Sequence, residues 1–195
     1  MKRDDAIAYF QGRLEKNPMD EDALHNLSVL YKSKGDMEQY GRVARMAVLT
    51  KRGGPAHYNE LGLALMQAGK LEDAYEQLQN AVALQASFGP AHINLSAVKA
   101  KRGEYKEAIR HCEDALKYLP NDASVHRNMA KLLDAVGRTS ESLSHNQAAL
   151  RLAPTDASVA RQIALQSVSR QLPTQAHAAY DTYRRLTGQH YDLNL

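Results

Sequence analysis

The sequence has little of what builds covalent or metal-based frameworks, with one cysteine, Cys112, and no tryptophan among 195 residues. A single cysteine excludes an internal disulfide framework and a cysteine-based zinc site, and it fits a reducing compartment. No stretch approaches the roughly 20 apolar residues that span a bilayer. The first ten residues, MKRDDAIAYF, are too acidic for a secretory signal. These absences predict a cytoplasmic location and no membrane insertion.

An excess of one charge is also missing. The formal net charge is +3, from 25 Lys and Arg against 22 Asp and Glu. A nucleic-acid binder usually carries a basic block or stripe. Here the small basic excess is scattered along the chain, and no aromatic residues are predicted where bases would stack. We therefore expect no nucleic-acid partner.

The motifs of common catalytic sites are absent as well. There is no GxxxxGK[ST], GxSxG, GxGxxG or HExxH sequence. The eight histidines include no pair spaced four residues apart in a predicted helix, and we expect His92 and His126 to pack in the core. Cys112 has no obvious basic partner to lower its pKa, which predicts an inert buried thiol. The sequence therefore predicts no enzyme, no catalytic residues, no metal and no cofactor.

What the sequence does contain is a repeat with a constant period of thirty-four positions and no insertions or deletions. Four glycines recur at this period, namely Gly35, Gly69, Gly103 and Gly137. Eight residues before each glycine is an apolar residue, and the next residue is small: Leu27 and Ser28, Leu61 and Gly62, Leu95 and Ser96, Met129 and Ala130. Twelve residues after each glycine is an alanine: Ala47, Ala81, Ala115 and Ala149. Pro120 and Pro154 end two of the units.

Each unit is predicted to form two amphipathic helices. In residues 89–122, a helical stripe ends at Gly103, and a second stripe from Tyr105 to Tyr118 ends before Pro120. Small residues allow the helices to approach closely, while leucine and isoleucine fill the space between them. Such a helix pair cannot bury both apolar faces alone, so it must stack on its neighbours.

The period and the positions of the small, glycine, alanine and proline residues resemble the tetratricopeptide repeat. The resemblance implies an all-α fold, a right-handed α-solenoid of antiparallel helix pairs with about 11 helices. Residues 1–20 resemble the second helix of a truncated repeat. The predicted full repeats are 21–54, 55–88, 89–122 and 123–156, followed by an atypical terminal repeat, 157–188, and a tail, 189–195.

Several residues depart from the pattern. Tyr40 replaces a small residue, so we expect looser or locally shifted packing in the first full repeat. In the terminal repeat, Gln171 replaces the turn glycine, Pro173 opens the second helix and Tyr183 replaces the alanine. The tail is too short for the additional helix that commonly caps such arrays. Either the last helix caps itself, or the chain belongs to or docks onto something larger.

The resemblance also implies a binding surface, because first helices line the concave face in this family. The predicted groove residues are Asn26, Asn59, Leu63, Met66, Ile93, Asn94, Lys101, Arg127, Asn128, Lys131, Arg161 and Gln162.

One feature of this groove is a row of amides. Asn26, Asn94 and Asn128 share one repeat position, which Glu60 and Gln162 fill in the other two repeats. An amide can pair with the backbone of an extended peptide, and the row is similar to the asparagine ladder of O-GlcNAc transferase. Asparagine at this position can equally serve local hydrogen bonds.

The second feature is a cationic group formed by Arg127, Lys131 and Arg161 beside apolar groove residues. It predicts a ligand that is apolar along its middle and acidic at one end. The alternative is a solvated face without a partner. The residues do not match the carboxylate clamp of chaperone-binding repeats.

The function predicted from these features is a non-catalytic scaffold that binds a protein or peptide in the concave groove and that can belong to a larger complex. The alternative is the substrate-recognition segment of a larger enzyme similar to O-GlcNAc transferase. Self-association through the uncapped last helix, Gln175 to Leu186, is a further expectation. The sequence leaves open whether the concave or the convex face binds.

Overall fold

The structure is a computed structural model that describes residues 2–50 and 53–189. These residues form eleven α-helices and no strand, which confirms the predicted all-α fold. In chain order the helices are α1 (Arg3–Lys16), α2 (Glu21–Lys34), α3 (Met37–Val48), α4 (Pro55–Gln67), α5 (Leu71–Leu84), α6 (Gly89–Lys101), α7 (Tyr105–Tyr118), α8 (Ala123–Ala135), α9 (Thr139–Leu152), α10 (Ala157–Ser169) and α11 (Pro173–Thr187). Over the described ranges, no helix is both long and apolar enough to cross a membrane.

The chain divides into two compact units, Met1–Arg102 with α1 to α6 and Gly103–Leu195 with α7 to α11. Within each unit, consecutive helices pack against each other. The helices α2, α4, α6, α8 and α10 begin one period apart, at the predicted starts of the repeats. The boundaries of the individual repeats remain predictions. Most of the predicted tail, residues 190–195, lies outside the described residues.

The recurring glycines end the first helix of four repeats in a left-handed turn. Gly35, for example, has φ +78° and follows the last residue of α2. Its N–H donates to the carbonyls of Lys32 and Tyr31, which would otherwise lack partners at the helix end. Gln171 stands in the same repeat position and also has a positive φ, +56°. The backbone turn is therefore kept where the glycine is lost.

Aspartates cap several of the helices. Asp122 accepts hydrogen bonds from the backbone N–H groups of Ser124 and Val125 at the start of α8. Asp156, at the equivalent position of the next repeat, does the same for Ser158 and Val159 at the start of α10. Each cap satisfies donors that have no partner inside the helix, and each lies at the entrance to a first helix.

Close packing in the first unit depends on small residues. Gly62 on α4 faces α5 so closely that an added Cβ would lie 2.6 Å from Cγ of Leu78. Leu78 is fully buried, as are the core residues Leu24 and Leu27. In this repeat, the small residue that follows the recurring apolar position therefore sets the distance between the paired helices.

Tyr40 fits into this core despite its size. Its side chain is 0% exposed and packs in a cluster with Leu24, Leu27 and Val43. Its hydroxyl leaves the apolar cluster and donates to the carboxylate and the backbone carbonyl of Glu60 on α4. The looser packing expected from the sequence is not seen at this side chain, because the hydroxyl reaches a polar partner at the edge of the core.

The second unit contains a buried polar network beside its apolar core. Nε2 of Gln166 on α10 donates to Asp134 on α8 at 2.9 Å and to Ser142 on α9 at 2.8 Å. Its Oε1 accepts from Asn146 on α9 at 3.0 Å. Since buried amides require partners, these bonds fix three helices at the base of one cleft.

Candidate functional site

The second unit contains a cleft of about 590 Å³ that we call the C-terminal cleft. Residues from α8, α9, α10 and α11 line it: Arg127, Lys131, Asp134, Asn146, Ser158, Val159, Arg161, Gln162 and Tyr183. The structure thus brings together four predicted groove residues, Arg127, Lys131, Arg161 and Gln162. Their use in binding remains a prediction.

Arg127 is held in place by an acidic partner. Its guanidinium lies 2.9 Å from Oδ2 of Asp156, the cap of α10. Burial opposes ionisation of Asp156, but hydrogen bonds from Ser158 and Val159 and the charge of Arg127 lower the pKa of this carboxyl overall. The positive charge of Arg127 is therefore largely balanced by Asp156 and is not simply available to a ligand.

Unlike Arg127, Lys131 has no acidic partner among the described residues. It lies one helical turn further along α8 and is exposed. Among residues 2–50 and 53–189, no side chain forms an ion pair or hydrogen bond with its ammonium group. Arg161 on α10 is exposed beside it. This part of the C-terminal cleft can receive a carboxylate without first breaking an ion pair of Lys131.

The C-terminal cleft also contains an acidic residue, Asp134, one helical turn after Lys131 on α8. Asp134 accepts hydrogen bonds from Gln166 at 2.9 Å and from Gln162 at 3.3 Å. Gln162 is therefore not simply presented to a ligand, as the predicted amide row would require. The cleft therefore offers both cationic donors and a carboxylate that two amides already hold.

Three of the other predicted amides, Asn26, Asn59 and Asn94, also bond within the protein. Nδ2 of Asn26 donates to the backbone carbonyl of Asp22, four residues earlier in its own helix, at 2.7 Å. Nδ2 of Asn94 donates to Oδ1 of Asn59 at 2.8 Å, and Asn59 is only 7% exposed. The bond of Asn26 is the local hydrogen bonding that the sequence allowed as an alternative, whereas the bond of Asn94 to Asn59 joins α6 to α4.

The remaining predicted residues are spread over several helices. Leu63, Met66, Ile93 and Asn128 are half-buried, and Met66 packs against the core of the first unit. Lys101 is exposed at the end of α6. None of these five residues lines the C-terminal cleft.

The first unit has a cleft at the corresponding repeat positions, which we call the N-terminal cleft. Its volume is about 490 Å³, and α2, α3 and α4 line it with His25, Ser28, Val29, Lys32, Ser33, Ala44, Ala47, Ala56, His57 and Glu60. Four of them, His25, Val29, Lys32 and Glu60, stand at first-helix positions that the resemblance turns toward the concave face, but they were not among the residues predicted to bind a ligand. Their repeat positions could have indicated a second cleft, because Val29 is equivalent to Lys131 and His25 to Arg127.

Sequence reasoning also missed other residues that line the C-terminal cleft or hold its lining residues in place. Asp134 lies seven residues after Arg127 and therefore on the same side of α8, and Asp156 recurs one period after the cap Asp122. Tyr183 was identified as a departure from the repeat, but only the structure places it at the C-terminal cleft. Helical periodicity could have suggested the aspartates, whereas their partners depend on side-chain packing.

Comparisons with known proteins agree with this architecture. Two family models, both described as tetratricopeptide repeat, match residues 99–167 and 59–117 and together cover more than half of the chain. Among curated protein sequences, none matches this chain.

Several solved structures share the fold. A chain from the APC/C hetero-tetramer Cut9–Hcn1 superposes with a TM-score of 0.80 at 20% identity, covering 99% of this chain and 38% of that one. PilF of Pseudomonas aeruginosa gives a TM-score of 0.77 at 19% identity, covering 96% and 93%.

YrrB, described as a TPR protein with an unusual peptide-binding site, gives a TM-score of 0.66 at 18% identity and covers 93% of each chain. At these identities the likeness concerns the fold alone. The helix pairs, their constant period and the two family matches lead to one assignment: this chain belongs to the tetratricopeptide repeat family and forms an all-α repeat solenoid.

Proposed function

We propose that this protein is a non-catalytic scaffold that binds a peptide segment of a protein partner in the C-terminal cleft, with an acidic group of the ligand on Lys131. The observation that carries the proposal is the exposed ammonium group of Lys131, which has no ion pair among the described residues. It borders a cleft of about 590 Å³.

The size and composition of the cleft support a peptide ligand. Ligand sites commonly occupy about 300–1,000 Å³ and combine apolar walls with a few oriented polar groups. Here Val159 and Tyr183 line the cleft together with Asp134, which belongs to the polar network of Gln166. A side-chain or terminal carboxylate on Lys131, beside Arg161, gives a charge-assisted contact.

The solved structures support partner binding in more general terms. One belongs to a hetero-tetramer, and another is described by its peptide-binding site. Tetratricopeptide repeats typically serve as non-catalytic interaction scaffolds. Our proposal adds the cleft and the acidic character of the ligand. It rests on the cationic residues rather than on the amides, because the amides of Asn26 and Asn94 bond within the protein.

The test is the binding of a fluorescent library of capped peptides to the immobilised protein and to Lys131→Met. Methionine keeps an unbranched apolar side chain but removes the charge. We expect acidic peptides to be enriched by the wild type and to lose about tenfold in affinity for the variant, the scale of a charged hydrogen bond. Arg127 is left unchanged because its replacement would also disturb the cap of α10.

Lys106→Met is the matched control, since Lys106 is exposed on α7 of the same unit and lies outside the cleft. It should bind acidic peptides like the wild type, and circular dichroism should show the same helix content for all three proteins. Equal binding by the wild type and Lys131→Met would overturn the proposal, as would no enrichment of acidic peptides.

A further inference from the structure

Two departures from the repeat pattern in the first unit are in contact. Tyr40 stands where the equivalent residues are Ala74, Ala108, Ser142 and Ala176. Glu60 stands where the equivalent residues are Asn26, Asn94, Asn128 and Gln162. The hydroxyl of Tyr40 donates to Oε2 of Glu60 and, at 3.2 Å, to its backbone carbonyl. Tyr40, the only large residue at the first of these repeat positions, is therefore bonded to Glu60, the only acidic residue at the second.

The hydroxyl of Tyr40 is a fixed donor. The side chain is fully buried, and burial together with the hydrogen bond to Glu60 raises the pKa of the phenol above its ordinary value of 10. The hydroxyl keeps its proton, so it can orient the carboxylate through Oε2. Among the described residues, no donor is bonded to Oε1 of Glu60, and the side chain remains 36% exposed.

The N-terminal cleft, which Glu60 lines, also offers apolar surface. Val29, Ala44, Ala47 and Ala56 contribute to its lining, and Val29 is 54% exposed. The aliphatic stems of lysine and arginine favour such surroundings while their charged ends seek a polar partner. The combination of apolar walls and one oriented carboxylate complements a long cationic side chain.

Lys32 shows that a cation is accepted at this position. Its ammonium lies 3.4 Å from Oε2 of Glu60. Both side chains are more than one-third exposed, at 42% and 36%, and exposed pairs of this kind contribute little to stability. A cation from a partner can therefore take its place, or bind Oε1 beside it, at low cost.

We infer that the N-terminal cleft binds a cationic side chain of the partner peptide, with Glu60 as the acceptor and Tyr40 as the residue that positions it. Arginine fits best, because a guanidinium can bond both carboxylate oxygens at once. This inference rests on the proposed function, since it assigns a second point of peptide recognition to the same scaffold.

The test compares two fluorescent libraries of capped nonapeptides that differ only at the central position. One library carries arginine there and the other citrulline, which has nearly the same shape but no charge. We expect the wild type to bind the arginine library about tenfold more tightly, the size of a charge-assisted contact. Glu60→Gln should remove this preference, because the amide still accepts the hydroxyl of Tyr40 but carries no charge.

Tyr40→Phe separates positioning from packing. Phenylalanine keeps the buried ring but removes the donor, so we expect the arginine preference to fall several-fold while circular dichroism stays unchanged. Glu76→Gln is the control for loss of one exposed acid in the same unit, and it should keep the wild-type preference. An equal affinity of the wild type for both libraries, or a preference that survives in Glu60→Gln, would overturn the inference.

The acidic peptides that test Lys131 distinguish this inference from the proposed function. If they bind and the arginine preference is absent, only the inference about Glu60 fails. If no peptide of any charge binds, the proposed function fails and the inference fails with it. Lys131→Met should leave the arginine preference unchanged, because the two residues belong to different clefts.

Discussion

The Nδ1 atoms of His126 on α8 and His145 on α9 lie 3.0 Å apart. Nε2 of His126 is 3.1 Å from the carbonyl oxygen of Pro120, which can only accept, so this nitrogen must carry a proton. In neutral His126, Nδ1 is then the acceptor, and Nδ1 of His145 is the donor. This pair joins the two helices of one repeat, and the four-residue spacing considered in the sequence does not detect it because the two histidines are 19 residues apart.

This pair predicts a loss of stability in mild acid. Burial and the neighbouring His126 lower the pKa of His145 from its ordinary value of 6.5. Since the unfolded chain then binds more protons than the folded one, the free energy of unfolding should fall as the pH drops through 6.5 toward the lowered pKa. Asp122 and Glu141, which interact electrostatically with the pair, keep their charges in this range because their pKa values are lowered.

Urea unfolding between pH 7.5 and pH 5 measures this effect. His145→Gln should flatten the pH dependence. His177→Gln serves as the control, because His177 is exposed and belongs to α11. An unchanged slope in His145→Gln would show that this pair does not control the acid response.

Gly62→Ala should destabilise the first unit. The new Cβ would lie 2.6 Å from Cγ of the buried Leu78, so α4 and α5 would have to separate. Overpacking of a core typically costs about 1–3 kcal/mol, of which the better helix propensity of alanine returns at most about 1 kcal/mol. Thermal unfolding followed by circular dichroism should show a lower midpoint.

The chain provides its own control in Gly12, which is inside α1 and has no atom within 4 Å of an added Cβ. Gly12→Ala should stabilise by about 0.5–1 kcal/mol, since only helix propensity changes. A Gly62→Ala variant that is as stable as Gly12→Ala would contradict the close packing of α4 on α5.

Gln171→Gly should stabilise the second unit. Gln171 has φ +56°, a conformation that costs a residue with a side chain about 1–2 kcal/mol, and part of this gain is lost through the greater entropy of glycine when unfolded. We expect a net gain of about 0.5–1 kcal/mol in urea unfolding. Gln171→Ala, which keeps a Cβ and hence the strain, should show no such gain.

Asp156→Ala should cost more stability than Asp122→Ala. Both aspartates cap a first helix and bond to the following serine hydroxyl, but only Asp156 also pairs with an arginine, Arg127. Loss of a cap costs about 1 kcal/mol, and the exposed ion pair adds about 0.2–1 kcal/mol. Urea unfolding of both variants measures the difference.

An Arg127→Met background provides the second half of this comparison. There the two cap variants should cost the same, because the ion pair is already absent. A difference that persists would mean that Asp156 stabilises α10 through something other than Arg127.

The repeat pattern predicted the helices well because it reports local and periodic constraints. The spacing of Gly35, Gly69, Gly103 and Gly137 indicated where first helices end, and their left-handed turns confirm it. Apolar periodicity indicated which helix faces are buried, since a repeat can only bury them against its neighbours. The residues that depart from the repeat were recognised, but their consequences were not.

The candidate sites were predicted less completely. The cationic residues Arg127, Lys131 and Arg161 do lie along one cleft. The sequence could not show that Asp156 balances Arg127 or that Asn94 bonds to Asn59, because these partners are 29 and 35 residues apart. Which of two nearby polar groups a side chain bonds to depends on differences in distance of about 1 Å. The repeat period of the sequence does not predict such differences.

By itself the sequence determined the family, the helix pairs and the positions where small residues allow close packing, because each depends on residue type at a fixed period. Tertiary structure decided which charges are already paired and which face a cleft. Tyr40 illustrates the difference: its size at a small-residue position was evident from the sequence, but its hydrogen bond to Glu60 exists only because α3 and α4 bring the two side chains together.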